Sequence, residues 1–127
     1  MNAALGIAMT QDFLQLATEG ALRLHHIDSN CVAAGCSRHE LLNSLAMQVA
    51  HRYSSKEWDF STADAAINTI WSVSVADASE QGDGFTLPEL VFRIYEAFDA
   101  GEYDHGDGAD PVAKYVDPQI KRILENA

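Results

Sequence analysis

Positive charge is scarce in this 127-residue chain, where eight Lys and Arg stand against 19 Asp and Glu for a formal charge of −11. A surface of that sign repels phosphate, which argues against a nucleic-acid partner. Cysteine is scarce too. Cys31 and Cys36 are too few to staple a small secreted scaffold, and a chain of this length does not need staples. No apolar run approaches the ~18 residues of a membrane span. No basic residue precedes Arg23, so the start lacks the charged segment of a secretory signal. The expectation is a cytoplasmic protein with two reduced thiols and no membrane partner.

What is plentiful is apolar material, at 47% of residues, which rules out a wholly disordered chain. Its spacing is helical nearly throughout. Phe13, Leu16, Ala17, Ala21 and Leu24 would form one stripe on a helix from about Thr10 to His26, with Gly20 as a weak point inside it. Small and polar residues from Ile27 to Cys36 read as a loop. Ser37-Arg38-His39-Glu40 then matches a capping box ahead of Leu41, Leu42, Leu45, Ala46, Val49 and Tyr53. Ser61, with Asp64 three residues on, is read as the cap of a third helix carrying Ile67, Ile70 and Trp71. The alternation over Trp71–Val75 competes as a short strand, but the longer 3.6-residue pattern favours helix. Thr86-Leu87-Pro88-Glu89 reads as a second capping box, stapled by Phe85 and Leu90, before a helix that Gly101 would end in a left-handed turn. Asp110-Pro111 and Asp117-Pro118 each look like a helix start in the tail. The predicted fold is all-α: a single compact domain over 1–127, with four amphipathic helices and a short C-terminal one, about five in all.

Three constellations are worth weighing for chemistry. His25, His26, Cys31, Cys36 and His39 lie close in sequence around the loop expected between the first two helices. Imidazole and thiolate together suit Zn²⁺, although the spacing is not that of a common finger. The bland alternative makes one cysteine a small buried hydrophobe and leaves the histidines at a wet helix end. The turn Asp77–Glu89 outlines an EF-hand with Gly82 at the sixth position. Its twelfth position is Pro88, however, and Glu89 comes one residue late. The third is the segment from Asp99 to Asp110, where Asp99, Glu102, Asp104, Asp107 and Asp110 have only His105 as a counter-charge.

Charge is uneven along the chain. Between Asp77 and Asp117 there are 11 acidic residues against Arg93 and Lys114, a balance of −9, whereas residues 1–60 carry about −2. Such a field can steer a basic partner, and it can equally serve solubility alone. Catalysis has thin support: Cys36 and His39 lack an evident third group, and Gly82-Asp83-Gly84 lacks the lysine and serine of a phosphate-binding loop. Most of the aromatics fall on helix faces, where core packing explains them, while Trp58 and Tyr103 fall in loops as partner anchors if exposed.

The sequence therefore points to a non-enzymatic, cofactor-free protein-binding module of the adaptor, inhibitor or immunity type. It would meet a basic protein surface through Asp99, Glu102, Tyr103, Asp104, Asp107 and Asp110, with homodimerisation as a further expectation. The alternative is a metal-binding protein using His25, Cys31, Cys36 and His39.

Overall fold

In the computed structural model, which describes residues 3–82 and 86–126, the chain runs through six α-helices. They are α1 (Ala3–Thr18), α2 (Leu24–Ala34), α3 (Arg38–Ser54), α4 (Phe60–Gln81), α5 (Glu89–Asp99) and α6 (Asp117–Glu125), the last entered through a π-helical segment, Val112–Val116. No strand occurs among the described residues, so the all-α expectation holds and Trp71–Val75 is helical.

The helix count exceeds five because the helix expected over Thr10–His26 stops early and a further helix, α2, forms after it. Gly20 takes φ +71°, the left-handed region that a side chain disfavours, and α1 has ended by Thr18. The loop expected over Ile27–Cys36 is instead mostly α2. Asp28, Ser29 and Asn30 favour turns by their local hydrogen bonding. Ile27, Asn30 and Cys31 are nevertheless buried at helical spacing, and that tertiary contact overrides local preference. Gly35, at φ +70°, closes the helix.

α3 starts as its sequence indicates, with Ser37 Oγ accepting the Glu40 N–H at 3.1 Å. α4 starts earlier than expected. Its cap is Asp59, not Ser61, and the Asp59 carboxylate accepts the Thr62 N–H at 2.8 Å, which lowers its pKa. The Thr86 capping box does not form either. Pro88 precedes α5, and Asn43 of α3 supplies the cap, its Oδ1 accepting the N–H groups of Leu90 and Val91 at 3.0 and 3.2 Å. Phe85, the other half of the expected staple, lies outside the described residues.

Gly101 follows α5 without adopting positive φ. It is a point of close approach, since a Cβ there would lie 2.5 Å from Val116 Cγ2 and 3.0 Å from the Phe60 ring. Asp110-Pro111 opens the last helical stretch as expected, Asp110 Oδ1 accepting the Val112 N–H at 3.1 Å. Asp117-Pro118 does mark the start of α6, with Pro118 in its first turn, but Asp117 does not cap it. The helix runs on through it, and the Asp117 N–H reaches back five residues to the Val112 carbonyl, the wide turn of a π-helix. Pro118, lacking an N–H, could not have closed an ordinary α-turn there.

α4 lies at the centre, packed against α1, α3 and α5, while α6 closes over α3 and α5. Leu14, Leu42, Leu45, Ile67, Ile70, Ile94, Phe98 and Ile120 belong to one continuous buried cluster. Among the described residues no helix is long and apolar enough to cross a membrane.

Candidate functional site

The acidic segment after α5 is built largely from its own carboxylates. Asp104 Oδ1 accepts the Gly106 N–H at 2.8 Å and Asp107 Oδ1 accepts the Ala109 N–H at 3.0 Å. With Asp110, that makes three carboxylates each bonded to the backbone two residues on, a local turn-forming use of aspartate. Asp107 Oδ2 also accepts from Lys114 Nζ at 2.7 Å and from the Tyr115 hydroxyl. These donors hold the Asp107 carboxyl well below the usual range and raise both Lys114 and Tyr115. The His105 ring stacks on Tyr115, centroids 3.8 Å apart, and lies 4.2 Å from the Tyr103 ring, while its Nε2 reaches the Ala100 carbonyl at 2.7 Å. His105 thus acts through stacking and a backbone bond, and the basic partner of the segment is Lys114. Tyr103 remains 54% exposed. Trp58 is half-buried beneath the Arg52 guanidinium, 5.2 Å from the ring centroid.

Glu102 and Asp99 join a different arrangement, on the outer face of α4 and α5. Asp64, Asn68, Trp71 and Val75 follow one another along α4 at helical spacing, and Phe92, Tyr95 and Asp99 do the same along α5. Trp71 and Tyr95 stack nearly parallel at 4.4 Å, and Phe92 leans on Trp71 at 5.9 Å. Phe92 is 40% exposed and Val75 almost as much, leaving an apolar surface at one end. Carboxylates gather at the other, where Asn68 Nδ2 donates to Glu102 Oε2 at 3.1 Å. Burial, and then the neighbouring Glu102, push the Asp64 carboxyl up to about 7. Its Oδ1 is buried without a hydrogen-bond partner. Burial raises the Tyr95 hydroxyl, helped by Asp99, Glu102 and Asp64, which places all three carboxylates within electrostatic reach of the aromatic stack.

Sequence reasoning assigned Trp71, Tyr95 and Phe92 to no site. The spacing of Trp71 and Tyr95 matches a core stripe, and both do pack against the core while staying partly exposed along the α4–α5 seam. Phe92 sits two residues before Ile94 in a helix that buries Val91, Ile94, Ala97 and Phe98, so its helical position did offer a signal.

A third location is an open cleft of about 800 Å³ between α2, α3 and α4, lined in part by Cys31, Cys36, Arg38, His39 and Asp77. Arg38 is the tie across it. Its Nη1 donates to Asp77 Oδ1 at 2.6 Å and its Nη2 to Asp28 Oδ1 at 2.7 Å, and these carboxylates raise its pKa. Asp77 is 2% exposed and also accepts from Gln81, so it serves as a buried counter-ion inside α4, not as the first ligand of a calcium loop. Residues 83–85 of that proposed loop lie outside the described residues.

Of the four residues considered for a metal, the cleft gathers Cys31, Cys36 and His39. His25 is at the far end of α2, its ring 4.1 Å from that of His26. The loop expected to fold them together is helical. Among the described residues no three His, Cys, Asp or Glu side chains are grouped so as to hold a metal ion. The two sulfurs are close, with Cys36 Sγ donating to Cys31 Sγ at 3.3 Å.

No protein-family model matches the chain, and no curated protein or solved structure matches it.

Proposed function

We propose that this protein is a non-enzymatic binding module of the adaptor, inhibitor or immunity type that engages a basic protein surface through the acidic second half of its chain. The observation that carries the reading is the α4–α5 face, where a partly exposed aromatic stack ends in the Asp99 and Glu102 carboxylates, with the Asp64 carboxyl beneath them. A partner segment that laid an apolar side chain against Phe92 and Trp71 would bring its own Lys or Arg towards Asp99 and Glu102. Tyr103 stands beside Glu102 on a loop whose turns are tied by its own aspartates, so little ordering would be needed on binding.

The acidic second half offers less free charge than its composition suggests. Asp107 is taken by Lys114 and Tyr115, and Asp117 by the Tyr53 hydroxyl at 2.5 Å. A second copy carries the same formal charge of −11, which favours a basic partner over self-association. Cytoplasmic residence belongs to the same proposal and rests on two unpaired cysteines.

The test is capture from host extract on the immobilised full-length protein at low and high salt, beside Phe92→Ser and Tyr103→Ser variants whose melting temperatures match the parent. A basic protein should be retained at low salt and lost as screening rises, with binding weakened about tenfold or more by either substitution. A partner indifferent to salt and to both substitutions, or no partner at all, overturns the proposal.

A further inference from the structure

The Cys31–Cys36 contact follows from how α2 ends. Gly35 turns the chain left-handed, and the N–H groups of Gly35 and Cys36 both converge on the Cys31 carbonyl, at 2.8 and 3.3 Å. The longer of these is the six-to-one bond of a Schellman motif, whose geometry sets the side chain three residues inside the helix end against the one just past the turn. In most proteins that contact is between two hydrophobic groups. Here both positions are cysteine, and the sulfurs meet at 3.3 Å. A covalent bond between them, at roughly 2 Å, needs the sulfurs to close by little more than an ångström from this contact.

The two thiols differ in access. Cys31 is buried, and burial together with Cys36 pushes its thiol up to about 12. Cys36 is half-exposed on the cleft beside α3. An incoming reagent therefore meets Cys36 first, with Cys31 already in contact behind it.

We infer that Cys31 and Cys36 form a thiol–disulfide exchange site, oxidised to an internal disulfide by a small-molecule disulfide that enters the cleft. The Cys36 thiolate attacks one sulfur of the reagent. Its S–S bond breaks, a thiolate leaves, and a mixed disulfide forms on Cys36. The Cys31 sulfur then attacks Cys36 Sγ, its proton passes to the departing thiolate, and the second reagent thiol is released. Two electrons move from the protein sulfurs to the reagent, and excess thiol reverses both steps. The site is separate from the α4–α5 face and does not depend on the function proposed for it.

The experiment incubates the folded full-length protein with oxidised glutathione and reads the product by intact mass and by alkylation of free thiols. The parent should lose two hydrogens and both alkylatable thiols without intermolecular cross-links, and regain them with reduced glutathione. Cys31→Ser should stop at one glutathione on Cys36, and Cys36→Ser should remain unmodified while folded. In glutathione mixtures the folded chain should keep its disulfide at a ratio of reduced to oxidised reagent about tenfold higher than the urea-unfolded chain does. Persistent free thiols, a mixed disulfide that never closes, or equal ratios for folded and unfolded chains would each overturn the assignment.

Discussion

Position 101 shows how one residue can be selected by space alone. Its backbone is not left-handed, so any residue could adopt the conformation. A methyl group, however, would meet the fully buried Val116 at 2.5 Å and the Phe60 ring at 3.0 Å. Neither neighbour is free to give way. Phe60 packs against Tyr53 and Phe98, with ring centroids 6.5 and 5.9 Å away, and Val116 belongs to the π-helical segment. Gly101→Ala should therefore destabilise by about 1–3 kcal/mol. That corresponds to a melting temperature lower by roughly 4 °C or more, measurable by circular dichroism. The sequence places a helix end near this residue but expects a left-handed turn there, because a steric limit set by residues 41 positions upstream and 15 downstream leaves no local trace.

At the level of helices, the legible starts are those capped from within. Ser37 and Glu40 sit three residues apart and announce α3, and Asp110-Pro111 announces the last helical stretch. α5 is capped from α3 instead, through a side chain 47 residues away in sequence, whereas the nearer Thr86 makes no cap. Asn43→Ala removes the acceptor of two N–H groups at a half-buried site. We expect a loss of about 1–2 kcal/mol, seen as a lower urea midpoint with unchanged slope. α2 was hidden for a related reason, since its turn-prone residues become helical only once Ile27 and Cys31 are buried. The same gap between local and tertiary information applies to the candidate site. The acidic residues could be counted, yet which were consumed by Lys114, Tyr115 and backbone N–H groups, and which bordered an aromatic stack, depended on α4 meeting α5. The cysteine pair was closer to legible: Cys-x3-Gly-Cys at a helix end is the pattern of a Schellman contact between two sulfurs.

For the molecule as a whole, charge makes stability depend on pH in opposing ways. Asp64 holds its proton in the folded chain up to about 7 but ionises at its ordinary 3.8 when unfolded. The unfolded chain therefore binds fewer protons between those values, and this carboxyl makes stability fall as pH rises from about 4 to about 7. Partial solvation limits the effect to about 1 kcal/mol. Asp64→Asn should remove that decline, so urea unfolding of parent and variant should diverge towards pH 8 in the variant's favour. Asp59 and Asp107 act the other way, their lowered pKa values giving stability that is present above the ordinary carboxylate range and lost on acidification. Asn43 carries one more consequence, for the order in which the chain is made. During synthesis from the N-terminus, its amide oxygen emerges from the ribosome well before Leu90 and Val91 do, so the start of α5 meets a waiting acceptor.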